Sequence, residues 1–230
     1  MSSLNKNARI AGLLYLVCVI TGPFVLLYVP GKLFVPDATV TVNNILTHES
    51  LFRAYIVVGL VSEMAFIATV LTLYRLLKDV NRELATMMVI LILIDAPLAF
   101  LSIMNQIATL TFVRGADFLA VFDQPQRDAL ATLLINIDKQ AVLVDEIFWG
   151  LWLLPLGMLV YRSGFLSRFI GVWLLINGVA YIILSFTGLL LPQILGIVNK
   201  ITFPALFGEV ALMLWLLING AKPKQPADIA

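Results

Sequence analysis

Six long apolar stretches constrain this chain more than any other feature of its sequence. A helix needs about 20 mostly apolar residues to cross the roughly 30 Å hydrocarbon layer of a bilayer, because each residue adds about 1.5 Å. The stretches that reach this length cover approximately residues 10–29, 53–77, 84–112, 142–161, 165–191 and 194–219. None alternates between polar and apolar residues as the strands of a membrane barrel do. The sequence therefore predicts an all-α integral membrane protein: a six-transmembrane-helix bundle in a lipid bilayer, with residues 1–230 as a single transmembrane domain.

Composition and charge exclude several classes of protein. Hydrophobic residues make up 61% of the chain and charged residues only 13%, far from the balance of a water-soluble domain. The formal net charge is +1, so no basic surface predicts binding to nucleic acid. With Cys18 and His48 as the sole residues of their types, the chain can form neither an internal disulfide nor a cysteine-based or two-histidine metal site.

Lysine and arginine predict the orientation of the chain, since cytoplasmic loops carry the excess of these residues. One side of the membrane would carry nine: Lys6, Arg9, Arg75, Lys78, Arg82, Arg162, Arg168, Lys222 and Lys224. The other side would carry six: Lys32, Arg53, Arg114, Arg127, Lys139 and Lys200. We therefore expect both termini in the cytoplasm and the first span to be retained as an anchor helix.

A partial sequence similarity among the spans suggests three helical-hairpin repeats. Each odd-numbered span opens with an arginine and has a small residue three positions later: Arg9 with Gly12, Arg82 with Ala85, and Arg168 with Gly171. Each even-numbered span carries one glutamate. The alternative is that basic helix ends and small packing residues occur in membrane bundles of every kind.

Four carboxyl groups lie within the predicted spans. Glu63, Asp95, Glu146 and Glu209 each come from a different span. Counted from the nearest cytoplasmic cation, they lie roughly 18–24 Å into the membrane. A charged side chain facing lipid there costs at least about 2.5 kcal/mol, so these acids should face the interior of the bundle.

The negative charge of these acids could be neutralised in three ways, and the sequence leaves all three open. They hold protons, they share a metal or sodium ion, or they line a water-filled cavity that receives a cationic ligand. Asn105 and Asn177 either complete the shell of such a pocket or join helices by ordinary hydrogen bonds. Asp138 and Lys139 are expected at the outer boundary, in solvent. Four glycines are interpreted as close helix contacts: Gly157, Gly178, Gly188 and Gly196.

Several short motifs resemble a bacterial membrane family called domain of unknown function 4386. They follow the same order over most of the chain: Ala8 to Leu14, Asn44 to Arg53, Leu73 to Arg82, Tyr161 to Leu166, and Gly208 to Leu216. The resemblance implies a six-helix bundle and relatives that carry acids matching Glu63, Asp95 and Glu209. Other relatives have histidines where this chain has Trp152 and Gly188, which argues against histidine-based metal chemistry here.

The sequence favours a multi-pass protein of the bacterial inner membrane with an acidic interhelical pocket. Such a pocket would bind a small cation or small-molecule ligand in a transporter, channel or sensor. The alternatives are an intramembrane metal-dependent enzyme and a passive accessory or assembly subunit. No Ser-His-Asp set, phosphate-binding glycine loop or HExxH motif indicates a particular catalytic chemistry.

Overall fold

A computed structural model describes residues 3–221, and this part of the chain is all-α. Its α-helices are α1 (Ser3–Pro23), α2 (Val29–Leu33), α3 (Ala38–Thr47), α4 (Glu49–Leu77), α5 (Arg82–Arg114), α6 (Gln124–Ser163), α7 (Arg168–Leu190), α8 (Leu195–Thr202) and α9 (Phe207–Ile218). No strand occurs between residues 3 and 221. The all-α class predicted from the sequence is confirmed.

The predicted number of spans is also confirmed. Six segments are long and apolar enough to cross a membrane: Leu4–Leu33, Glu49–Leu77, Arg82–Arg114, Gln124–Ser163, Arg168–Leu190 and Pro192–Ile218. Most of them are longer than predicted, because a helix need not end where its apolar stretch ends. The clearest case is α6, which begins at Gln124 although the fourth span was predicted from residue 142. In this extension Ala131, Ile135 and Asp138 are buried, at the spacing of one helix face.

Two of the six spans are interrupted, each beside a proline. The first passes through a π-helical turn at Phe24–Tyr28, directly after Pro23. In the last, predicted as continuous over residues 194–219, α8 ends at Thr202 and α9 begins at Phe207, on either side of Pro204. Proline lacks a backbone N–H and disfavours a helical residue before it, which favours an interruption at each position, although α5 and α6 continue through Pro97 and Pro155.

The chain forms two compact units, and each takes parts of several helices. The first unit contains residues 3–17, 65–96 and 143–221, and the second contains residues 18–64 and 97–142. The second unit has an apolar core in which the rings of Phe34, Phe52 and Tyr55 lie within 6.4 Å of one another, centroid to centroid. Helix α3 adds Val42 and Ile45 to this core.

Closely packed glycines join α6 to α7 in the first unit. A Cβ atom at Gly150 would lie 2.5 Å from the carbonyl oxygen of Gly178, and one at Gly157 would lie 2.8 Å from that of Gly171. A Cβ at Gly188 would meet the side chain of Leu143 at 2.6 Å. The prediction of close contacts is confirmed at Gly157, Gly178 and Gly188. It is wrong for Gly196, around which a Cβ would meet nothing within 4 Å.

Candidate functional site

The break between α8 and α9 determines where Glu209 lies. Because α9 begins at Phe207, Glu209 falls in the first turn of that helix. The first backbone N–H groups of a helix have no partner within the helix and carry partial positive charge, which favours a carboxylate nearby. A buried acid is therefore less costly at this position than in the middle of a continuous span.

Two side chains from other helices donate hydrogen bonds to the Glu209 carboxyl. The hydroxyl of Tyr15 on α1 donates to Oε2. The Nδ2 of Asn177 on α7 donates to Oε1 over 3.3 Å. Tyr15 is 2% exposed and Asn177 is fully buried, so both donors are withdrawn from solvent. Three helices of the first unit thus meet at one carboxyl group.

Glu146 approaches this cluster from a fourth helix. Glu146 and Glu209 both lie near enough to the hydroxyl of Tyr181, one turn beyond Asn177 on α7, to interact with it electrostatically. The glycine contacts explain the placement. Two contacts between α6 and α7, Leu143–Gly188 and Gly150–Gly178, lie on either side of Glu146 along α6. Glu146 therefore faces the segment of α7 between these contacts, which contains Tyr181.

Aromatic rings of the first unit contact Tyr15 and Tyr181, the two tyrosines that lie near the acids. Trp149 contacts Tyr181 edge to face at 5.8 Å between centroids. Trp152 is fully buried and lies 6.4 Å from Tyr15 and 5.1 Å from Phe66. The sequence analysis missed the tyrosines and tryptophans of this cluster. The sequence could have indicated Trp149 as part of this cluster, since it lies one helical turn from Glu146.

Several buried polar atoms of the first unit have no hydrogen-bond partner among residues 3–221. They include Oε2 of Glu146, Oδ1 of Asn177, Nε1 of Trp152, Nε1 of Trp215 and Oγ of Ser185. Buried polar atoms are usually paired, because an unpaired one loses the interaction with water that it had in the unfolded chain. The first unit can therefore offer both acceptors and donors to a bound molecule.

The predicted site residues divide between the two units. Asn177 and Glu209 are in contact in the first unit, where Glu146 also lies near Tyr181. Asp95 is also in this unit and is 1% exposed. Glu63 and Asn105 belong to the second unit, where Asn105 donates a hydrogen bond of 2.6 Å to the carbonyl oxygen of Leu134. The convergence of Glu63 and Asp95 with the other acids stays a prediction.

A second polar cluster lies where the sequence analysis expected solvent. Asp138 is only 8% exposed, and its Oδ2 accepts hydrogen bonds from Tyr55 at 3.1 Å and from Gln106 at 3.2 Å. The expectation that Asp138 is solvated is therefore wrong. It assumed that side chains outside the hydrocarbon layer face water, but Asp138 faces the interior of the second unit. Lys139, the neighbouring residue, is exposed as expected.

Metal ligands are sparse in the described part of the chain. Within residues 3–221, no group of three or more His, Cys, Asp or Glu side chains is placed to hold a metal ion. The two polar clusters consist mainly of carboxyl, amide and phenol groups, which suit hydrogen-bonded ligands and protons.

The fold and this polar core define the class of the protein: a multi-pass helical membrane protein with carboxyl groups held between its helices. Residues 10–220 match the model of the family described as "Domain of unknown function (DUF4386)", and the chain belongs to that family. A relative from Archaeoglobus fulgidus, described as an uncharacterized protein, is 38% identical over 79 residues. That alignment covers 33% of this chain and 44% of the relative. No solved structure matches the chain.

Proposed function

We propose that the first unit binds a small cation or a cationic small molecule between Glu146 and Glu209, and that the protein is a transporter, channel or sensor for it. In this proposal the protein lies in the bacterial inner membrane with both termini in the cytoplasm. The excess of Lys and Arg on one side supports the orientation.

The observation that carries the proposal is the pair of carboxyl groups at Tyr181. Glu146 and Glu209 come from different helices, and both lie near this one hydroxyl. Within the described residues, neither acid forms an ion pair with Lys, Arg or His. Two negative charges in one low-dielectric region repel each other unless a proton or a cation is shared between them. A bound cation would relieve this repulsion.

The aromatic residues favour an organic ammonium group over a bare metal ion. Cations are attracted to the faces of Trp and Tyr rings, and cages of such rings bind substituted ammonium groups. Tyr15, Trp149, Trp152 and Tyr181 all belong to the first unit, and each is in ring contact with another aromatic side chain. The carboxyl groups would supply the charge and the rings the shape of the site.

A passive accessory subunit is the second candidate, and one observation favours it. Both oxygens of Glu209 already accept hydrogen bonds from protein donors, Tyr15 and Asn177. A carboxyl group whose only task is to join helices would have the same partners. The two functions differ in whether replacing the acids changes ligand binding or only stability.

Calorimetric titration of the full chain in lipid nanodiscs tests the proposal, with sodium and tetramethylammonium as separate probes. We expect wild-type protein to bind at least one of them, and Glu146→Gln and Glu209→Gln to bind it about tenfold more weakly. Glu83→Gln is the matched control, since Glu83 is exposed in the first turn of α5. It should bind as wild type does.

Two outcomes would contradict the proposal: wild-type protein that binds neither probe, and amide variants that bind as tightly as the control. Amide variants that lose stability but keep binding would favour the accessory subunit. If binding depends on the acids, flux of the same cation into proteoliposomes separates transport from sensing.

A further inference from the structure

An open cavity of about 530 Å³ lies in the second unit, whereas Glu146 and Glu209 belong to the first. Arg53 near the start of α4 and Arg114 at the end of α5 both line it. Ile107, Leu110 and Thr111 form an adjoining wall, and Asp117 lines it from the turn after α5. Two arginines thus face one space at the ends of two membrane-spanning helices.

Glu49 holds the two guanidinium groups together. Its Oε1 lies 2.7 Å from Nε of Arg53, and its Oε2 lies 3.8 Å from Nε of Arg114. Both pairs use the Nε atom. The terminal amino groups of these arginines have no hydrogen-bond partner among residues 3–221. Both side chains are more than half exposed, so their remaining donors are accessible from the cavity.

The lining charges balance formally, since Arg53 and Arg114 stand against Asp117 and the bridging Glu49. Arg127 lies close by, with Nε 3.5 Å from the position that a Cβ of Gly115 would occupy, and its own terminal nitrogen donates to the carbonyl oxygen of Phe122. The N–H donors of Arg53 and Arg114 that Glu49 leaves unused favour an anion.

The geometry of the donors and of the wall narrows the class of anion. Guanidinium groups bind phosphate oxygens through paired N–H donors. Residues 107, 110, 111 and 114 fall on one face of α5, so an apolar strip leads from Arg114 along the helix towards its membrane-spanning part. A phosphate carrying a hydrocarbon chain would match both features.

We propose that this cavity binds the phosphate of a phosphate ester, with Arg53 and Arg114 as its ligands and Glu49 as the residue that positions them. The inference does not depend on the proposed cation site, because it uses other residues in the other unit. Two sources present such a group: a phospholipid of the bilayer and a soluble phosphate ester.

Native mass spectrometry of the full chain in detergent tests the proposal, with phosphatidylglycerol, dioleoylglycerol and glycerol 1-phosphate as probes. We expect phosphatidylglycerol to bind about tenfold more tightly than dioleoylglycerol, which lacks the phosphate. Arg53→Gln and Arg114→Gln should each remove about tenfold of that affinity. Arg82→Gln is the control, because Arg82 is an exposed arginine at the opposite end of α5.

A second variant separates a positioned pair of arginines from general attraction to positive charge. Glu49→Gln makes the cavity more positive, so simple attraction would strengthen phosphate binding. We expect it to weaken binding, because the two guanidinium groups lose their common partner. Tighter binding by this variant would overturn the assigned role of Glu49 and the proposed geometry with it.

The remaining outcomes are equally distinct. Binding of phosphatidylglycerol without glycerol 1-phosphate identifies the lipid as the source, and equal binding of both identifies the phosphate alone as what the site recognises. Both support the proposal. Binding of neither, or an equal loss in Arg82→Gln and Arg53→Gln, would overturn it. Thermal unfolding of each variant verifies that a loss of binding is not a loss of fold.

Discussion

Asp138 illustrates how a single carboxyl group can join three helices. Its Oδ2 accepts from Tyr55 on α4 and from Gln106 on α5, while Asp138 itself lies on α6. All three side chains are less than a tenth exposed. Removing the carboxyl would therefore leave two buried donors without an acceptor, which costs more than the hydrogen bonds themselves contribute.

Asp138→Ala should lower the free energy of unfolding by about 2–3 kcal/mol, because the Tyr55 hydroxyl and the Gln106 amide both lose their partner. The measurement is equilibrium unfolding of the purified protein in mixed micelles. Gln140→Ala is the control, since Gln140 is an exposed residue two positions further along α6. Equal stability of the two variants would mean that the cluster contributes nothing to the fold.

Asp138 also shows where reasoning from the sequence stops. The depth of Glu209 and Glu146 could be estimated by counting residues from a cytoplasmic cation, because a helix rises by a constant amount. The same counting placed Asp138 beyond the hydrocarbon layer and gave no sign of the core there. The face that Asp138 shares with Ala131 and Ile135 was the available signal, but it requires knowing that α6 continues outward to Gln124.

At the scale of elements, α6 and α7 depend on glycine for their close approach. Gly150 and Gly157 lie seven residues apart on α6, and Gly171 and Gly178 lie seven apart on α7. The two pairs meet backbone to backbone, which brings Glu146 and Tyr181 into one region. In a bilayer such close packing replaces the hydrophobic driving force that lipid removes.

Gly178→Ala should destabilise the protein by about 1–3 kcal/mol, since its Cβ would lie 2.7 Å from the carbonyl oxygen of Gly150 and force the helices apart. Gly196→Ala should be neutral or stabilising, because nothing lies near that position and alanine favours a helix. Thermal unfolding in detergent compares the two variants. A larger loss in Gly196→Ala would contradict the proposed packing.

The predictability of these elements differs for a physical reason. The six spans follow from the cost of placing polar groups in hydrocarbon, which acts on every residue of a span and is visible in the sequence. The partner of each glycine is set by which helices become neighbours, and that depends on contacts along both helices. Gly157, Gly178 and Gly188 could be recognised as contact positions because they are glycines within apolar spans. Gly196 is also a glycine within an apolar span, but a Cβ there would have no neighbour within 4 Å.

At the scale of the whole molecule, orientation decides which solution each site faces. The turn at residues 78–81 joins α4 to α5, contains Lys78 and is flanked by Arg75 and Arg82. The connection between α5 and α6 contains Val121, which is 81% exposed. The count of nine basic residues against six predicts that the first connection is cytoplasmic and the second lies outside. On this orientation the arginine-lined cavity belongs to the outer surface.

Labelling of single cysteines tests the orientation, and the sequence makes the test simple. Cys18 is the only cysteine, so Cys18→Ser gives a background without thiols. In that background Val121→Cys should react with a membrane-impermeant maleimide on intact cells, whereas Asp79→Cys should react only after the membrane is permeabilised. The reverse pattern would invert the orientation. It would also place the phosphate cavity on the cytoplasmic surface, where anionic lipids and soluble phosphate esters would both have access to its arginines.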